Sequence, residues 1–217
     1  MALVNTLRIR PSKAPNLPIA PAIYVQQHED KYSNILRLYF NTIDNMAEAL
    51  LGVVGGASIR TPYGAFQDTL SHTVVANTAN LMTFNTTDIA NSISIVDSSK
   101  LTVEYAGIYN IQFSTQFQNL DNAPQDVSVW LRVNGVDVPG STGILGFSAR
   151  KSPSDPYHDI KGWNFFLALN ASDYVEIYWS TTNALVTIEA YPLGTGPTRP
   201  STASNVVTLT FVSALPA

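Results

Sequence analysis

The sequence predicts a mainly β protein: an antiparallel β-sandwich of roughly ten strands, preceded by an extended arm and one long α-helix. Three observations predict it. The apolar period is helical, about 3.6, between residues 24 and 50 and changes to 2 from residue 62 onward. Prolines at 11, 15, 18 and 21 precede the helical stretch, and glycines at 52, 55 and 56 follow it. Charged residues make up only 13% of the chain, against the usual ~25%. Abundant Thr, Asn and Ser suit the pleated surface of a sheet.

Residues 1–21 form an extended, polyproline-like arm, because each proline removes a backbone donor and fixes φ. A disordered tail is the plainer alternative. Leu3, Val4, Leu7, Ile9, Leu17, Ile19 and Ile23 favour an arm laid over a partner, being too apolar for a solvated linker.

Residues 22–61 are a helical anchor or stalk with a Gly-rich joint. Its seam residues, Val25, Tyr32, Leu36, Tyr39, Ile43, Met46 and Leu50, recur at heptad-like intervals, broken by the polar Glu29. Ile35, Leu38 and Phe40 widen the apolar surface. Such a helix packs on copies of itself, on a partner, or on its own sandwich. At about 1.5 Å per residue it spans about 40 Å, a squat appendage.

Residues 62–217 carry the strands. Gly107–Gln118 alternates Tyr109, Ile111, Phe113, Thr115 and Phe117 with Asn, Gln and Ser. Val127–Val133 alternates likewise and runs into Asn134–Gly135, a strong hairpin signal, and the short strand Val136–Val138. Further strands read at Tyr63–Leu70, Leu81–Phe84, Ile93–Val96, Leu101–Tyr105, Trp163–Leu169, Val175–Ser180, Val186–Tyr191 and Val206–Val212. Trp163–Leu169 and Val206–Val212 are apolar on both faces, whereas an antiparallel sandwich in water wets one. A subunit interface supplies the second dry face.

Several function classes lack their chemistry. There is no Cys, hence no disulfide and no thiolate metal site. No apolar run is long enough for a membrane helix. The N-terminus places its basic residues after a short apolar run, the reverse of a secretory leader, so export is expected inside an assembly or by lysis. Residues 1–60 carry a net +2 and residues 61–217 a net −6, giving −4. Arg8, Arg10 and Lys13 are too few cations for a nucleic-acid footprint. None of His28, His72 and His158 lies at metal spacing with another, and His28 reads as solvated. Asp155, His158 and Asp159 fall in a Pro153/Pro156 loop. Gly146–Arg150 lacks the second glycine of a nucleophile elbow. No cofactor and no enzymatic activity are expected.

The strand set YGAFQDT (63–69), FNTTDIANSISI (84–95), LTVEYAGIYNIQFSTQF (101–117), VSVWLRVNGVDVPGS (127–141), WNFFLALNASDYVEIYWS (163–180) and Asn205–Val212 resembles the C1q/tumour necrosis factor superfamily. Within it, the likeness is to the C1q-like domains of phage and marine viral proteins. NLPIAPAIYVQQHEDKYSNILRLYFNTIDN (16–45) resembles a phage virion anchoring segment. The resemblance implies a jelly roll over residues 62–217 and a homotrimer, with Tyr63, Phe66, Tyr109, Phe113, Trp179, Leu209 and Phe211 as core or threefold interface. It implies a virion structural protein, with residues 1–60 docking on other virion proteins and the knob displayed outward. A tail fibre or spike, a head appendage and a capsid-decoration protein stabilising the head all fit. A soluble carbohydrate- or receptor-binding module is the alternative class, with Tyr157 and Tyr191 as loop aromatics facing a host glycan or receptor. Phe147 fits such a loop or the core equally. The calcium-type acidic cluster of some members is not evident.

Overall fold

The computed structural model describes residues 13–51 and 61–216. The arm residues before Lys13 and the glycines of the joint lie outside the described residues. Two compact units result, divided after Arg60.

In the first unit, residues 13–25 carry no regular secondary structure, and Ile19 is 94% exposed. Helix α1 covers Gln26–Leu51, a stretch without Gly or Pro, with Glu29 in its first turn where the helix dipole favours an acid. Tyr32, Leu36, Tyr39, Ile43 and Met46 are half-buried, while Leu38, Phe40 and Leu50 are exposed. Val25 is corrected: it precedes the helix and is exposed, so the seam begins later than its heptad spacing predicts. His28 is corrected too. Its side chain is 17% exposed rather than solvated.

The second unit contains β1 (Tyr63–Asp68), β2 (Asn80–Leu81), β3 (Thr86–Asn91), β4 (Ile93–Val96), β5 (Lys100–Val103), β6 (Gly107–Asn119), β7 (Gln125–Val133) and β8 (Val136–Asp137). It continues with β9 (Gly143–Phe147), β10 (Tyr157–Leu169), β11 (Tyr174–Thr181), β12 (Val186–Ile188), β13 (Gly194–Thr195), β14 (Thr198–Arg199) and β15 (Asn205–Ser213). One sheet has the order β10-β6-β15-β1-β3, with β12 also on β6. The other has the order β4-β5-β11-β7-β8, with β2 on β11 and β9 on β7. The main strands divide as β1, β6, β10 and β15 against β5, β7, β9 and β11. Beyond β4 the chain crosses between sheets from β5 to β6, β6 to β7, β9 to β10, β10 to β11 and β11 to β12. That is the winding of a jelly roll, which buries both inner faces without long free edges.

The core sits where the two inner faces meet. β6 contributes Tyr109, Ile111, Phe113 and Phe117, β7 contributes Val127, Val129 and Leu131, and β11 contributes Val175, Ile177 and Trp179. Strict alternation makes this possible, since inward side chains recur every second residue. Phe117 joins the sheets through edge contact with Trp179 at 5.5 Å and a tilted contact with Phe147 at 5.2 Å. Phe147, 1% exposed, is thereby core rather than a distal loop residue. Asn134 and Gly135 both take positive φ, 51° and 80°, which is what a two-residue turn matched to strand twist requires.

Three differences from the expected strands have physical causes. β10 begins at Tyr157, not Trp163, so His158 and Asp159 belong to a strand rather than a loop. β3 is a polar edge strand with a bulge near Phe66 and lacks an apolar alternation to announce it. β9 contains two glycines, and Gly143 is needed: a Cβ there would lie 1.4 Å from the Trp163 indole.

Candidate self-association face and distal pocket

Each strand of the β10-β6-β15-β1 array turns one set of side chains into the core and the other outward. The outward set forms three cross-strand rows by register. Phe166, Asn110, Thr210 and Tyr63 make the first, and Asn164, Gln112, Thr208 and Ala65 the second. Gly162, Ser114, Val206 and Gln67 make the third. This grid contains no carboxylate, ammonium or guanidinium. Large apolar groups stand bare on it: Ile160, beside Gln116 past the third row, is 63% exposed and Phe166 62%, with Val206 and Tyr63 also exposed. A shallow groove of about 500 Å³ runs over Gln112, Ser114, Gly162 and Asn164.

The opposite sheet presents a different outer surface. Glu176 stands beside Arg132, and Trp130 beside Tyr178. The Arg132 guanidinium lies 4.1 Å from the Tyr178 ring centroid, and Asp137 pairs with Arg132 while accepting from Trp130 Nε1 at 2.8 Å. The Arg132 hydrogen bond, then that of Trp130, holds the Asp137 carboxyl below the ordinary range. Charge and aromatic stacking are satisfied in place there. One outer face holds internal ion pairs, whereas the β10-β6-β15-β1 grid is uncharged and partly apolar, its nearest carboxylate being Asp88 of the edge strand β3, which accepts from Gln67 at 2.6 Å.

Five of the residues named as core or interface are wholly interior to one subunit. Phe66, Tyr109, Phe113, Trp179 and Leu209 are all buried inside the sandwich. They occupy inward positions, so they offer no surface to a second copy. Phe211 is half-buried, edge-on to Tyr109 at 5.6 Å. Tyr63 alone of the set faces outward on the grid. Ile160, Phe166 and Val206 are the bare apolar residues that alternation through Tyr157–Phe166 and Asn205–Val212 could have nominated.

The two loop aromatics separate as well. Tyr157 opens β10 on an inward position, half-buried edge-on to Phe147 at 6.4 Å, and is not ligand-facing. Tyr191 is half-buried outside the named strands, bridging to Thr202. Burial, with Glu189 nearby, raises its phenol above the ordinary range, and Arg199 opposes this.

A polar cluster lies at the end of β1. Asp68, 1% exposed, accepts from Leu70 N at 2.9 Å, Thr83 Oγ1 at 2.6 Å and His72 Nε2 at 2.8 Å. Thr83 also lies 3.3 Å from the same His72 Nε2. A nitrogen donating to Asp68 is not free to take a proton from Thr83, so the trio lacks the relay of a nucleophile, base and acid. Among the described residues no three His, Asp or Glu converge on a metal position.

The described strands and their winding define a mainly β jelly roll with an uncharged four-strand grid on one outer face. No protein-family model and no curated protein matches the chain. Among solved structures, it is similar to the globular domain of zebrafish complement 1qA protein, at 13% identity and a TM-score of 0.43, covering 72% of this chain and 100% of that one.

Proposed function

We propose that this chain is a non-enzymatic structural protein of a phage virion. Its jelly roll assembles as a homotrimer through the uncharged sheet face, residues 1–60 dock on other virion proteins, and the knob is displayed outward. The uncharged face carries this reading. Interface centres are depleted of charge and enriched in apolar and aromatic groups, and a contiguous apolar surface is a liability on a solitary subunit. The grid adds amides and hydroxyls that can pair across a symmetric contact. The number three follows the strand motifs' resemblance to trimeric jelly rolls. Docking through the first unit is supported by the exposed arm residues Leu17, Ile19 and Ile23 and by the apolar helix seam.

Light scattering of the full chain is expected to give about three times the 23.6 kDa subunit mass at micromolar concentration. A monomer would end the proposal. A chain beginning at residue 61 is expected to remain folded and trimeric but to be missing from particles assembled with it. Its retention on purified particles would overturn the anchor assignment.

A further inference from the structure

The sandwich has two distinguishable ends. β1 starts at Tyr63 beside Thr210 and finishes at Asp68 beside Asn205, so the chain enters and leaves at one end. Thr115–Asn119, Tyr157 and the 189–204 segment mark the other. At this distal end Gln116, His158, Ile160, Tyr191, Arg199 and Thr202 line a pocket of about 430 Å³.

Arg199 brings a cation to the distal rim beyond the uncharged grid. Its Nη1 donates to Pro200 O at 3.3 Å and Thr202 Oγ1 at 3.1 Å. Among the described residues it forms no ion pair. A guanidinium carries five donors in a planar fork, so a bidentate edge is left for a carboxylate. The neighbouring ring is preset. Tyr191 Oη donates to Gln118 Oε1 at 3.0 Å, and its ring meets His158 edge-on at 5.6 Å. Gln118 is itself buried, its amide donating to Thr187 Oγ1 at 3.0 Å and Glu189 Oε1 at 2.7 Å. Glu189, the nearby carboxylate, is occupied: it also accepts from Thr187 and Ser71. The Arg199 guanidinium carbon lies 5.8 Å from the Tyr191 ring centroid, so cation and ring serve one ligand.

We propose that this distal pocket binds a uronic-acid residue of a surface polysaccharide. Arg199 takes the carboxylate, the Tyr191 ring takes a sugar face, and Gln116 and Thr202 supply hydroxyl partners. Fixed aromatic area with a planar donor fork is economical for such a ligand, because little side-chain freedom is lost on binding. The inference extends the displayed-knob reading and rests on it only for the outward direction of the pocket.

Titration calorimetry of the full chain with trigalacturonate and with its methyl ester tests it. The acid is expected to bind and the ester not, since esterification keeps the carbon skeleton and removes the charge. Arg199→Ala should weaken acid binding at least tenfold. Arg199→Lys should fall between, because an ammonium cannot match the bidentate edge. Tyr191→Ala should weaken binding with the melting temperature followed alongside to confirm folding. Equal binding of acid and ester, no binding of the acid, or an unaffected Arg199→Ala variant would each overturn the proposal. So would an Arg199→Ala variant that falls to monomers, which would assign Arg199 to a carboxylate of a neighbouring copy. Light scattering on the same samples separates the two readings: Arg199-dependent uronate binding by a monomer keeps the pocket and removes the trimer.

Discussion

Phe166→Asp is expected to leave the sandwich folded and to convert the assembled protein into single subunits. Phe166 heads the first row of the uncharged grid and is 62% exposed in the isolated subunit, so its ring contributes little to the subunit's own core. In a trimer built on that face, each copy would bring a carboxylate into a grid that holds no cation, Arg199 standing at the opposite, distal end. Desolvating an unpaired charge costs several kcal/mol, and each ~1.4 kcal/mol is tenfold in association. A loss of at least a hundredfold is expected, read by light scattering across a dilution series. Phe166→Thr separates charge from lost area, since Thr keeps β propensity and should weaken assembly far less. Ser128→Asp places the same carboxylate on the outer face of the opposite sheet, where the mass should not change. If Phe166→Asp keeps the wild-type mass, or Ser128→Asp dissociates the protein equally, the uncharged face is not the interface.

The sequence carried the sandwich because its strongest strands have opposite demands on their two faces. β6 alternates inward Tyr109, Ile111, Phe113, Thr115 and Phe117 with Asn, Gln and Ser, and burial follows that alternation as far as Phe117, beyond which Gln118 and Asn119 are buried as well. The β7–β8 hairpin was legible for a local reason: Asn and Gly tolerate the positive φ the turn needs. β9 was illegible because glycine ordinarily weakens a strand, and the reason for Gly143 lies in another strand, where Trp163 fills the space a side chain would take. The first half of β10 was hidden by charge. Asp159 and Lys161 point inward but stay half-buried at the sheet edge, paired at 2.6 Å, so their positions read as solvent-facing.

The candidate face divides along the same line. That β10 and β15 are apolar on both sides was readable, and it pointed to a second dry surface. Which residues form that surface depends on the direction of each strand's pleat, so inward residues such as Phe113 and Leu209 were grouped with outward ones. Of the distal pocket only Tyr191 was nominated by the sequence, as a loop aromatic, and its companions were not. His158 comes from β10, Arg199 from the β13–β14 ribbon and Tyr191 from a bridge to Thr202, and only the folded chain brings them together.

Trp179→Ala is expected to be the most destabilising of the substitutions named here. Trp179 is 1% exposed and meets Phe117, which meets Phe147, so its loss opens a cavity among aromatic rings drawn from three strands and both sheets. Removing a buried indole costs about 3–5 kcal/mol, a large share of the roughly 5–15 kcal/mol that holds an ordinary domain together. Assembly would mask part of this, because association stabilises the folded subunit in proportion to concentration. The comparison therefore belongs in the Phe166→Asp background, by urea unfolding followed with circular dichroism. Trp130→Ala is the matched control. Its indole is half-buried on the outer sheet face, stacked on Tyr178 at 5.9 Å, and its loss leaves a surface that water can fill. If Trp179 were instead a threefold contact, its removal would cost the dissociated subunit no more than Trp130→Ala does. A core residue must destabilise that subunit by several times as much, and the ratio of the two losses decides between them.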